Sequence, residues 1–185
     1  MPFFFFCVLH RCWRSKICIH PVHLCDKIRH CPQQDDELLC TFSCPYGCVC
    51  QGWAFVCPVK YQTFLYPQVR MVNASRSLLK PNDFHNLDYL VHLILSFCDI
   101  QVILLPSLLN LRTLDISYNF IAELDMSQLG SVPNLAELIL SYNPLSVFLQ
   151  SNFDMKTQKS QLRLIDLSFT FLKKFNSNLF EIHKV

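Results

Sequence analysis

The feature that most restricts this chain is the placement of its cysteines: of 11 in 185 residues, ten fall before residue 58. Downstream, recurring leucines replace them and Cys98 stands alone. Clustered cysteines in a short segment either cross-link it, which needs an oxidising compartment, or hold a metal, the commoner use in a cytosolic chain. Apolar residues make up 51% of the sequence, enough for a continuous core, and the net charge of +2 is not gathered into runs. That balance gives no support to a nucleic-acid or membrane-surface role. No stretch reaches the roughly 18 to 20 apolar residues that span a bilayer. The longest candidate, Tyr89 to Leu109, is broken by His92, Asp99, Gln101 and Pro106. Phe3 to Leu9 is apolar but lacks a basic n-region and a small-residue cleavage site, so it reads as an incomplete start, not a working signal.

The second half is self-similar. Leu90-Val-His-Leu93-Ile-Leu95-Ser-Phe-Cys98 recurs as Leu111-Arg-Thr-Leu114-Asp-Ile116-Ser-Tyr-Asn119, as Leu135-Ala-Glu-Leu138-Ile-Leu140-Ser-Tyr-Asn143 and as Leu162-Arg-Leu-Ile165-Asp-Leu167-Ser-Phe-Thr170. A divergent opening copy fits at Tyr66, Val69, Met71 and Ala74, making steps of 24, 21, 24 and 27 residues from Tyr66 through Leu90, Leu111 and Leu135 to Leu162. This period and the L-x-x-L-x-L-x-x-N/C pattern mark leucine-rich repeats. Each copy supplies a short strand with its leucines turned inward. The terminal Asn or Cys turns in to bond neighbouring backbone, which gives Cys98 a structural role as a buried thiol. Phe84 with Leu87, and Val132 with Leu135, fill the convex side.

The residues between the leucines face the concave solvent side: Arg70 and Val72; His92 and Ile94; Arg112, Thr113 and Asp115; Glu137 and Ile139; Arg163, Leu164 and Asp166. Arg112, Glu137 and Arg163 are expected to form a charged column, and Ile94, Ile139 and Leu164 an apolar companion to it. Apolar residues facing water on a sheet suggest a partner surface; ordinary cross-strand pairing is the alternative. Asn73-Ala74-Ser75 is a glycosylation sequon. Leu179, Phe180 and Ile182 begin a further copy without a closing cysteine cap, so the chain reads as a fragment of a longer protein.

The cysteines fall into two sets. Cys44-x3-Cys48-x-Cys50-x6-Cys57 resembles the N-terminal cap of extracellular leucine-rich-repeat proteins. The resemblance implies bridges Cys44–Cys50 and Cys48–Cys57, with Trp53 and Phe55 laid on the open core edge that a first repeat needs covered. Cys18-x6-Cys25-x5-Cys31-x8-Cys40, with the pair Asp36-Glu37, resembles the C-terminal half of an LDL-receptor class A repeat. Cys7 and Cys12 complete its six cysteines, and the resemblance implies Cys7–Cys18, Cys12–Cys31 and Cys25–Cys40. A module of this size buries too little surface to fold unaided, so bridges and an ion supply the missing stability.

The same resemblance implies a calcium site made of Asp26, Asp36, Glu37 and the backbone carbonyls of His23 and Ile28. His30 stands where the family has a fourth carboxylate, and imidazole is a poor donor for calcium. Two alternatives stay open: a solvated acidic face of Asp26, Asp35, Asp36 and Glu37, or a zinc set drawn from His20, His23, His30, Cys25 and Cys31.

The expected fold is therefore a small disulfide-rich module followed by an α/β-type leucine-rich-repeat solenoid with parallel strands on the concave face. The expected division is residues 1–41 for the class A module, 42–60 for the cap and 61–185 for about five repeats. This order resembles the ectodomain of relaxin-receptor-type, leucine-rich-repeat G-protein-coupled receptors. The resemblance implies a peptide or protein hormone bound on the concave sheet, outside the plasma membrane, with a G protein reached only through a seven-helix domain that these residues lack. A secreted or membrane-anchored adhesion or matrix protein is the alternative. No nucleophile elbow, phosphate loop or H-E-x-x-H motif points to an enzyme.

Overall fold

The computed structural model describes residues 10–38, 40–57, 68–149 and 161–173. Cys7, Tyr66 and the final segment with Leu179, Phe180 and Ile182 lie outside them. The strands, in chain order, are β1 (His10–Arg11), β2 (Cys18–Ile19), β3 (Val49–Gln51), β4 (Ala54–Val56), β5 (Met71–Asn73), β6 (His92–Ile94), β7 (Thr113–Asp115), β8 (Glu123–Asp125), β9 (Glu137–Ile139), β10 (Val147–Leu149) and β11 (Leu164–Asp166). Seven of them form one sheet in the order β11-β9-β7-β6-β5-β4-β3, parallel throughout except for the β3–β4 hairpin at its start. Among the described residues no α-helix occurs. The convex side carries 3-10 turns at Pro81–Phe84 and Met126–Ser131 and a short parallel pair, β8 with β10. Parallel strands on one side and compact returns on the other form a leucine-rich-repeat solenoid.

The strand register follows from the leucines. Val72, Leu93, Leu114, Leu138 and Ile165 stand side by side across the sheet. The first four are buried, as are Leu90, Leu95, Leu111, Ile116, Leu135 and Leu140. Two sequence readings need correction. Val72 points into the core, not to the concave solvent. The opening copy is also shifted by three residues: Val69, Val72, Ala74 and Ser77 occupy the positions of Leu90, Leu93, Leu95 and Cys98, one repeat of 21 residues earlier. A weak copy takes its register from its neighbour's hydrogen bonds. Ala74 N–H donates to the Ile94 carbonyl at 2.9 Å, as Leu95 does to Asp115 at 2.7 Å and Ile116 to Ile139 at 3.0 Å.

The asparagines at the ends of the repeats bind these turns together. The Asn119 side-chain oxygen accepts from Cys98 and Ile100 N–H at 2.9 and 3.0 Å, and its amide nitrogen donates to the carbonyls of Leu95, Ile116 and Ser117 at 2.9 to 3.0 Å. Asn143 repeats the arrangement one turn on, accepting from Ile121 N–H and donating to Ile116 and Leu140. Cys98 is a free, buried thiol whose Sγ lies 3.2 Å from the Ala74 carbonyl. At the last such position, the Thr170 hydroxyl donates to the Leu167 carbonyl of its own repeat at 2.8 Å.

At the N-terminal end, Cys44–Cys50 and Cys48–Cys57 clip the β3–β4 hairpin, and Phe55 and Trp53 lie on the open edge of the core. Phe42 stacks on Trp53 with ring centroids 4.2 Å apart. The segment before it is held by Cys12–Cys31 and Cys25–Cys40; Cys18 is also disulfide-bonded, and its expected partner Cys7 lies outside the described residues. Ile19, Leu24, Cys12 and Cys31 join the same continuous core as the cap and repeats. The junction is tight at Gly52, where a Cβ would sit 1.7 Å from the Leu24 carbonyl oxygen and φ is +56°. Only glycine meets both demands without strain.

Candidate functional site

Two solvent-facing rows run across the sheet. One holds Met71, His92, Thr113, Glu137 and Leu164; the other holds Asn73, Ile94, Asp115, Ile139 and Asp166. The expected charged column does not form as one row. Arg112 and Arg163 lie just before their strands and are separated by Ala136, whereas Glu137 belongs to the next row and accepts from the Thr113 hydroxyl at 3.2 Å. Ile94 and Ile139 are half-buried and Leu164 is exposed.

Several residues expected to face a ligand are engaged locally. The Asp115 carboxylate accepts from Ser117 N–H at 2.9 Å, and Asp166 accepts from the Ser168 hydroxyl and N–H at 2.5 and 2.9 Å. The hydroxyl bond, then the N–H, holds the Asp166 carboxyl below its ordinary pKa. Asn73 makes the same turn to Ser75, so the sequon side chain sits half-buried at the rim of the first repeat.

The first repeats are roofed by the disulfide-rich module. His20 stacks over His92 with centroids 6.0 Å apart, and His92 Nε2 is buried without a hydrogen-bond partner. Burial, then the neighbouring His20, lowers the His92 pKa to about 4. Burial likewise lowers Arg70, whose guanidinium lies 4.8 Å from the centroid of Tyr89. Arg70 helps to line an open cleft between module and cap with Leu24, Asp36, Phe42 and Trp53. His92 is therefore covered, and the concave face open to a partner begins at Ile94.

An aromatic column beside the sheet was not foreseen. Phe97, Tyr118, Tyr142 and Phe169 stack in sequence, with centroids 4.3, 4.2 and 4.3 Å apart, and Arg76 lies over Phe97 at 5.2 Å. All five have positive φ, between 53° and 61°. This left-handed turn aims the N–H groups of Arg76, Phe97, Tyr118 and Tyr142 at the next repeat, as in Tyr118 to the Ser141 carbonyl at 3.0 Å and Tyr142 to Ser168 at 3.0 Å. Stacking offsets the cost of holding bulky residues there. The four rings are 40% or more exposed. The recurring Ser-Tyr and Ser-Phe pairs in the sequence were the available signal.

In the disulfide-rich module, Asp26 Oδ1 accepts from Ile28 N–H at 2.8 Å, while Oδ2 lies 3.2 Å from His23 Nδ1 and 3.0 Å from His30 Nε2. Burial alone would raise the Asp26 pKa, but the Ile28 N–H and the two imidazoles outweigh it and hold the carboxyl below its ordinary value. Asp36 accepts from His30 N–H at 2.5 Å and Glu37 from Lys27 N–H at 3.1 Å. Among the described residues, the trio whose ligand atoms all lie within 4.8 Å of one another is His23, Asp26 and His30, without Asp36 or Glu37. Calcium takes six to eight oxygen donors. Asp26, Asp36 and Glu37 do not form such a trio among themselves; Asp36 Oδ1 and Glu37 Oε1 are buried without hydrogen-bond partners, and imidazole nitrogens of His23 and His30 take the places beside Asp26. Cys25 and Cys31 are tied up in bridges and offer no thiolate to zinc.

No family model and no curated protein matches the sequence. Among solved structures the chain is similar to TLR13 in the crystal structure of a TLR13–ssRNA13 complex, at 26% identity and a TM-score of 0.54. The match covers 66% of this chain and 18% of that one. No helix among the described residues is long and apolar enough to cross a membrane. Repeat geometry, strand register and this likeness together make the chain a leucine-rich-repeat solenoid opened by a disulfide-rich segment.

Proposed function

We propose that this chain is the ligand-recognition part of an extracellular leucine-rich-repeat protein and that it binds a peptide or protein on the concave sheet from Ile94 onward. The observation that carries the reading is the row of Ile94, Asp115, Ile139 and Asp166, apolar and acidic in alternation, beside the exposed aromatic column. Exposed tyrosines beside partly exposed aliphatics are residues that protein interfaces draw on, with charged groups placed toward the rim. The disulfides support an oxidising compartment. Single-stranded RNA, which the TLR13 structure contains, is the less suitable ligand. Arg112 and Arg163 are balanced by Asp115, Glu137 and Asp166. The rings of the column cover one another's faces at 4.2 to 4.3 Å, leaving little for bases to stack on.

Within that reading, the finer proposal is a hormone-binding fragment of a leucine-rich-repeat G-protein-coupled receptor at the plasma membrane, with a class A module at its start. It rests on the cysteine spacings and on the order of module, cap and repeats. The test immobilises the oxidised chain and screens it against secreted peptides, with Ile94→Arg/Ile139→Arg on the concave sheet and Leu149→Arg on β10 as the control. Binding lost only in the concave variant supports the proposal. Binding that survives it, or a steeply salt-dependent preference for single-stranded RNA, refutes it. Sequencing the full transcript separates receptor from adhesion protein: seven apolar spans of about 20 residues decide for the receptor.

A further inference from the structure

We propose that His23, Asp26 and His30 form a binding site for a d-block dication, zinc foremost, on the surface of the disulfide-rich module. Zinc bonds of about 2.0 to 2.2 Å to nitrogen and oxygen in tetrahedral geometry place neighbouring ligand atoms about 3.3 Å apart. The two distances from Asp26 Oδ2, 3.2 Å to His23 Nδ1 and 3.0 Å to His30 Nε2, already have this spacing. The remaining distance, between the two imidazole nitrogens, is at most 4.8 Å. The His rings, with centroids 4.3 Å apart and side chains 42% and 27% exposed, have room to rotate and close it.

The ligands are held by cross-links and by backbone. Asp26 follows Cys25, bridged to Cys40, and His30 precedes Cys31, bridged to Cys12. Cys25 and Lys27, on either side of Asp26, both take positive φ, 65° and 71°, which fixes the direction of the carboxylate. Asp36, 1% exposed, accepts the His30 N–H through Oδ2 and keeps Oδ1 unpartnered. Asp36 thereby fixes the His30 backbone from behind. Two imidazoles and one carboxylate suit zinc and its neighbours, not calcium. With three protein ligands, a fourth position stays open to water or to a donor from a partner. This inference does not depend on what the concave sheet binds.

The test is calorimetric titration of the oxidised full chain with zinc chloride and, separately, with calcium chloride. His23→Ala and His30→Ala are compared with His85→Ala, an exposed histidine on a distant turn. We expect one zinc per chain, an affinity reduced by at least about tenfold in either ligand variant, and no change in His85→Ala. His30→Asp should shift the preference toward calcium. No zinc binding, zinc binding in both ligand variants as tight as in the unsubstituted chain, or tighter calcium than zinc binding in the unsubstituted chain would overturn the site. Substoichiometric Co²⁺ added to the unsubstituted chain gives a reading free of folding effects. The His23 and His30 imidazole resonances should broaden before that of His85, and uniform broadening would refute the assignment.

Discussion

Protonating His92 should loosen the seam between the disulfide-rich module and the first repeats. The ring is stacked under His20, its Nε2 is buried without a partner, and its pKa is lowered from 6.5 to about 4. The unfolded chain therefore takes up the proton at higher pH than the folded one. Stability is full above about pH 6.5, declines as pH falls toward about 4, and levels off below that. The interval corresponds to about 3 kcal/mol, with about 2 kcal/mol already lost at pH 5, at about 1.4 kcal/mol for each pH unit. Few small domains can lose that much without a visible drop in midpoint. The assay is urea unfolding of the oxidised chain at pH 7 and pH 4, compared with His92→Phe. The variant keeps an aromatic ring, removes the unpartnered nitrogen and does not titrate. Carboxylates and the other histidines, His20 among them, titrate in both proteins, so the difference between the two curves reports the His92 ring and its coupling to His20. Equal losses in both proteins, or an NMR titration midpoint for His92 near 6.5, would refute the reasoning.

Three further outcomes follow from the packing. Asn119→Ala removes both acceptor bonds to Cys98 and Ile100 and leaves buried amides unpaired, so it should cost about 3 kcal/mol or more in urea unfolding. Gly52→Ala drives a Cβ into the Leu24 carbonyl and should cost about 1 to 3 kcal/mol, releasing the disulfide-rich segment to limited proteolysis while the repeats stay protected. Tyr118→Ala breaks two ring stacks in the exposed column and should lower stability by about 1 to 2 kcal/mol; an unchanged midpoint would show that the column is not a structural element.

The repeats were legible because their spacing is physical: leucines two residues apart share a face of an extended segment, and the leucine three residues earlier turns inward from the bend that leads into the strand. Leu93, Leu114 and Leu138 stand in one inward row for that reason. The divergent opening copy was misplaced because Met71 and Ala74 look as apolar as Val72, and only pairing of β5 with β6 selects which of them turns inward. Among the described residues, short 3-10 turns and the β8–β10 pair return the chain on the convex side. Asp115 and Asp166 looked free in the sequence because a bond to a serine two residues on resembles any other surface pattern.

What the sequence alone determined is periodic or local: the leucine repeat, the asparagine and cysteine at its ends, and a cysteine-dense start unable to fold without cross-links. Tertiary structure decided what lies far apart along the chain. His20 covers His92, aromatic rings from four repeats touch, and the Asp36 carboxylate reaches back to the His30 N–H beneath the Cys12–Cys31 bridge. The physical reason is that a period specifies which way a side chain points, whereas a contact between distant segments depends on where docking and disulfides place the whole backbone.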